Sequence, residues 1–249
     1  MNSPYIKNIQ DLPVTIQPVI NEFVQKLIVN GGDNICSIVV YGSAAGVNFQ
    51  PGVSNINVGI ILKNLDFNVL RQNISLIKWC HKNKMATPLF LTLEYIQGSL
   101  DVFPIEYNEI KQQHKTIFGE DLFSNLEIPS KDIRLLCEQQ IKGKLLRLRQ
   151  AYLEIGPHAN LLKNLLKGAF SDLMPIFRQM IILKGQKDFE SKEEMLKQLA
   201  HIYSLDLNPF LAVYHDKSKK LLISSQQVEA HFQNFLNQLE SLSRHLDSL

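Results

Sequence analysis

Apolar residues recur at helical spacing across residues 16–27, where Ile16, Val19, Ile20, Phe23 and Leu27 share one face and Gly31-Gly32 supply a stop. The pattern then shortens into β-branched runs. Residues 35–41 and 55–62 read as buried strands, joined by a loop over residues 44–53 that holds Gly46, Pro51 and Gly52. Asp66 stands where it can cap a helix whose face is Leu70, Ile74, Ile77 and Cys80 or His81, and residues 88–93 read as a third strand. The apolar segment 100–107, ending in Phe103-Pro104-Ile105-Glu106, reads as an edge or bulged strand, because proline has no N–H for a central ladder.

After Ile128-Pro129 the period is helical to the end of the chain. Ser130 opens a helix with Ile133, Cys137, Ile141, Leu145, Leu148 and Tyr152 on one face, stopped by Gly156-Pro157. Residues 161–183 continue in the same style, with Pro175 setting a kink or break. Ser191 with Glu194, and Ser224 with Gln227, have capping-box spacing; the second precedes a stripe of Val228, Phe232, Phe235, Leu239, Leu242 and Leu246. Two domains are therefore predicted. Residues 1–128 form an α+β (α/β-type) domain, a mixed β-sheet with flanking helices, and residues 129–249 form an all-α helical bundle of four helices.

Composition narrows the function classes. At 45% hydrophobic and 20% charged residues the chain lies outside the disordered regime, and a net charge of +2 gives no argument for nucleic acid. The N-terminus lacks the apolar core of a signal peptide, and no apolar run reaches the ~18 residues of a spanning helix, so the expectation is a cytoplasmic protein with no membrane partner. Cys36, Cys80 and Cys137 are odd in number and widely spaced, which points to neither a disulfide framework nor zinc. His81, His201, His215 and His231 lack metal-site spacing, and no residue is assigned to a metal; His114 reads as a surface histidine.

The candidate chemistry lies at one stretch. An apolar strand runs into Gly42-Ser43, eleven residues follow, and the next strand presents Asn55 and Asn57 two apart, on one face. This order resembles the nucleotidyltransferase superfamily that includes DNA polymerase beta and the kanamycin nucleotidyltransferases. That family is marked by a strand, Gly-Ser, roughly ten intervening residues, Asp-x-Asp on the next strand, and a third carboxylate later. Here Asn55 and Asn57 stand at the Asp positions. The resemblance suggests Glu106 for the third carboxylate, with Asp101 and Glu109 as alternatives. It covers mainly residues 35–110, and the helical half is similar to the bundle of kanamycin-type members.

The resemblance implies nucleotidyl transfer by in-line attack at phosphorus, assisted by two metal ions. Magnesium prefers carboxylate oxygens, and a Gly-Ser turn allows close approach to phosphates, so Gly42 and Ser43 become candidate phosphate-binding residues. Asn at both acid positions removes two negative charges and the proposed base, since an amide takes no proton near neutral pH. The resulting expectation is a nucleotidyltransferase-fold protein, catalytically impaired, with a nucleoside triphosphate or another anion as partner and Mg2+ as cofactor only if it is active. Two alternatives stand beside it: an active enzyme moving a nucleoside monophosphate to a small hydroxylated or protein acceptor, and a non-enzymatic interaction or regulatory module. The resemblance lets the first bundle helix face the nucleotide cleft, making Lys142, Lys144 and Arg147 candidate phosphate contacts, against the alternative of a solvated helix face. Kanamycin-type members can place an active site between two subunits, which leaves a homodimer open.

Overall fold

The computed structural model describes residues 6–46, 49, 51, 54–186, 189 and 191–247, so Gly52 and much of the loop over residues 44–53 lie outside the described residues. The chain divides into two compact units, Met1–Ile128 and Pro129–Leu249.

In the first unit β1 (Ile35–Tyr41), β2 (Asn57–Leu62), β3 (Leu89–Thr92) and β4 (His114–Gly119) form one sheet in the order β3-β2-β1-β4. β1 runs antiparallel to both β2 and β4, and β2 runs parallel to β3. The sheet is covered on both faces, which is why residues 38–40 read as a continuous apolar run rather than an alternating one. On one face Ile38, Val40, Val58 and Ile60 pack with Ile20, Phe23, Val24 and Leu27 of α1 (Gln17–Gly31). Two short helices, α2 (Phe67–Gln72) and α3 (Ile74–Lys82), follow β2, and Leu76 and Cys80 of α3 join that core. On the other face Val39 and Ile61 meet Ile96 of α4 (Leu93–Gly98), Tyr107 and Ile110 of α5 (Pro104–Gln112), and Phe123.

Two elements depart from the sequence expectation. The segment 100–107 is no strand: Pro104 occupies the first turn of α5, where its missing N–H has no partner to lose and its fixed φ suits a helix. The fourth strand lies further on, at His114–Gly119, with Lys7 N–H donating to Ile117 O along its outer edge. The helix expected after Asp66 is two helices parted at Asn73. Asp66 does cap the first, its Oδ1 accepting the Val69 N–H at 2.9 Å. Asn73 turns its amide onto Val69 O at 2.9 Å, and the buried face becomes Leu76 and Cys80 while Leu70 and Ile74 stay exposed.

The second unit holds α6 (Ser130–Ile155), α7 (Ala159–Leu183), α8 (Lys192–Tyr203), α9 (Asn208–Lys217) and α10 (Val228–Asp247). α6 buries Ile133, Cys137, Ile141, Leu145 and Leu148, the face read from the sequence. Pro175 sits inside α7 without ending it. Ser191 caps α8 by accepting the Glu194 N–H at 3.1 Å. α9 is one helix more than the expected four, and it supplies Phe210, whose ring meets Phe177 and Phe235 edge-on at centroid distances of 5.3 and 5.2 Å. No helix of the described residues is long and apolar enough to cross a membrane.

Candidate functional site

The Gly-Ser turn grows out of a central strand of the sheet. At its last position β1 carries Tyr41, which pairs with Asn57 of β2 on one side and with His114 of β4 on the other. The chain then enters a 3-10 turn, Gly42–Ala45. Gly42 has a φ of 68°, the left-handed region that glycine enters without penalty. Its N–H donates to Gln113 O at 3.0 Å, so this backbone donor is used inside the protein.

Side-chain amides stand at both ends of the turn. A methyl group placed on Gly42 would lie 3.3 Å from Asn57 Nδ2, and one placed on Gly46 would lie 1.8 Å from Gln113 Nε2. The two glycines thus leave the room these amides occupy. Ser43, between them, is half-buried. Burial of Tyr41 raises the pKa of its phenol, which keeps the hydroxyl protonated and able to donate.

Asn57 opens β2 and is half-buried, whereas Asn55 precedes the strand and is exposed. Ile56 and Val58 belong to the core beneath α1, so alternation turns Asn57 toward the opposite face, the one shared by Val39 and Ile61. Glu106 is the exposed residue of the otherwise buried first turn of α5, on a helix and not on a sheet strand. Its alternatives are no closer to the expected setting: Asp101 is exposed ahead of α5, and Glu109 is half-buried within it.

His114 is the residue that sequence reasoning misplaced most. Its side chain is only 6% exposed. Nδ1 lies 2.8 Å from Ile110 O, Nε2 lies 3.0 Å from Asp121 Oδ1, and the ring tilts against Phe123. Asp121 also accepts the Phe123 and Ser124 N–H groups at 3.1 and 3.0 Å and the Ser124 hydroxyl at 2.6 Å. Burial pushes the Asp121 carboxyl upward, but the Ser124 bonds and His114 outweigh it and hold the group at about 2. The pair anchors the segment after β4 to the sheet end. Its one local trace in the sequence is Asp121-Leu-Phe-Ser124, the spacing of a carboxylate that caps its own turn.

In the helical unit Lys142 Nζ meets Glu138 Oε1 at 2.7 Å and Lys144 Nζ meets Asp172 Oδ2 at 2.6 Å, so both cations are matched by carboxylates of their own unit; Arg147 is exposed. Among the described residues no group of three or more His, Cys, Asp or Glu is placed to hold a metal ion.

The architecture matches a solved structure of the spectinomycin adenyltransferase AAD(9) from Enterococcus faecialis with ATP and spectinomycin, with a TM-score of 0.53 over 88% of this chain and 97% of that chain. The fold is a nucleotidyltransferase fold. No protein-family model matches the chain, and no curated protein does. At 14% identity the likeness speaks for the nucleotidyltransferase fold alone, and the chemistry must be read from the residues at the turn.

Proposed function

We propose that this nucleotidyltransferase fold holds a nucleoside triphosphate, or an anion of the same phosphate chemistry, at the Gly42–Ser43 turn without carrying out metal-dependent transfer. The observation that carries the reading is the Tyr41–Asn57 pair: the sheet position beside Gly42 bears an amide. Magnesium gives up its water reluctantly and is held mainly through carboxylates. Asn55 and Asn57 supply neutral oxygens, and Glu106 is an exposed residue of a helix rather than of the sheet. This donor set does not fit a two-metal cage, and no catalytic step is derived through one. An amide also takes no proton near neutral pH, so neither asparagine replaces the base that activates an acceptor hydroxyl.

What remains suits an anion better than a cation. Amide N–H groups donate to phosphate oxygens without needing a metal to neutralise a carboxylate first, and hydrogen bonds to charged groups are the stronger kind. The Ser43 and Tyr41 hydroxyls add donors along the same strand end. The bound ATP of the adenyltransferase supports a nucleotide as the anion. Lys142 and Lys144 are matched within the helical unit, and this reading assigns them no phosphate contact.

Thermal denaturation with ATP or GTP, in EDTA and in Mg2+, tests the proposal. A ligand that binds only the folded chain at a hundred times its Kd stabilises it by about 2.7 kcal/mol. The expected result is a rise in Tm in EDTA that Mg2+ does not enlarge. Strictly Mg2+-dependent binding together with transfer of labelled nucleotide would overturn the reading in favour of an active enzyme. No shift in either condition would leave the fold as a scaffold.

A further inference from the structure

Resting on the phosphate-binding reading above, we infer that Gln113 is a phosphate-recognition residue of the turn, completing the site from the junction of α5 and β4 where the sequence pointed to Glu106. Gln113 links α5 to β4 and makes two separate connections to the turn. Its carbonyl accepts the Gly42 N–H at 3.0 Å, which ties the end of α5 to the start of the turn. Its side chain lies over Gly46, where a methyl carbon would meet Nε2 at 1.8 Å, Cδ at 3.0 Å and Cγ at 3.6 Å. Gly46 is therefore the notch that seats this amide, and any other residue at position 46 displaces it.

The seat is not explained by the amide's own hydrogen bonds. Among the described residues neither Gln113 Nε2 nor Asn57 Nδ2 has a hydrogen-bond partner, although both side chains are half-buried. Ordering a glutamine costs rotamer freedom, and because both amide nitrogens reach solvent, a ligand arriving from solvent can take them in place of water. An oxyanion lying across the turn would satisfy both amides. The assignment also follows from where the backbone donors go: Gly42 N–H is used by Gln113 O and Gly46 N–H by Ser43 O, so recognition at the two ends of the turn passes to side chains. Two neutral amides flanking Ser43 select phosphate oxygens over a metal ion.

Isothermal titration in EDTA with ATP, inorganic tripolyphosphate and adenosine separates the parts. Gln113→Ala is expected to weaken ATP and tripolyphosphate alike by about tenfold, the loss of one hydrogen bond to a charged group. Gln113→Glu keeps the length and the packing over Gly46 while turning donors into acceptors, and it is expected to weaken both at least as much; it carries the test if the alanine variant folds poorly. Gln112→Ala, exposed at the end of α5, is the control and binds as the wild type does. Wild-type binding that both Gln113 variants leave unchanged overturns this inference alone. Adenosine competing with ATP while tripolyphosphate fails to bind overturns it too, because recognition then lies at the nucleoside. A wild type that binds neither ATP nor tripolyphosphate removes the phosphate-binding reading and this assignment with it.

Discussion

Gly42 and Asn57 are packed so closely that a methyl group on the glycine would lie 3.3 Å from the asparagine Nδ2, tighter than ordinary van der Waals contact. The strand register produces this, since Asn57 pairs with Tyr41 and the chain turns immediately afterwards. Gly42→Ala should therefore lower stability by about 1–2 kcal/mol, mostly through the left-handed φ of 68° that a Cβ disfavours. In urea denaturation, adding Asn57→Ala should recover only the small contact part. Full recovery in the double variant would locate the cost in the contact and not in the backbone.

Acids placed at the strand end should let it hold a cation. Asn55→Asp with Asn57→Asp places two carboxylates two residues apart, which repel until a cation arrives. Differential scanning fluorimetry should show a Mg2+-dependent rise in Tm for this variant, roughly 2–4 °C per kcal/mol of binding, and none for the wild type. Equal responses to Mg2+ would contradict the reading of the amides.

Asp121 gives the first unit an acid-sensitive anchor. Its carboxyl is held at about 2, below the usual 3.8, so the folded state binds its proton less readily than the unfolded state. The stabilisation is complete above about pH 4 and is lost as pH falls toward 2. Denaturant midpoints measured across that window should fall less steeply for Asp121→Asn than for the wild type, while the variant is the less stable of the two at pH 7. Parallel curves would show that Asp121 carries none of the acid response.

A second carboxylate matters in the helical unit. Asp216 is only 2% exposed, with Lys167 Nζ at 2.8 Å from Oδ2 and the Ile223 N–H donating to Oδ1 at 3.0 Å. Removing the cation leaves a buried charge, for which losses of about 3–5 kcal/mol are typical when both partners are buried; the one-third exposure of Lys167 reduces this to about 2 kcal/mol. Urea denaturation of Lys167→Met should register that loss, and Lys167→Met with Asp216→Asn should recover part of it. Additive losses would mean that the two side chains do not interact.

The elements that were legible are those whose burial leaves a regular apolar pattern in the local sequence. α1, α6 and α10 repeat apolar residues at helical spacing, and β1 and β2 carry near-continuous apolar runs, residues 38–40 and 60–62, because helices cover both faces of the sheet. α5 and β4 defeated that reasoning. Phe103-Pro104-Ile105 is apolar enough for a strand, yet the proline serves as a helix start, while β4 begins with His114, Lys115 and Thr116 and confines its apolar content to Ile117 and Phe118.

The sequence by itself determined that Gly42-Ser43, an eleven-residue gap and two asparagines share a nucleotidyltransferase-like order, because those are local facts of spacing and strand alternation. Tertiary structure alone decided which side chains meet there. Glu106 went to an exposed position on α5, His114 was buried against Asp121, and Gln113 was brought over Gly46. The reason is physical: β4 pairs with β1 across more than seventy residues of chain, and no local pattern encodes which residues such a pairing sets beside Gly42.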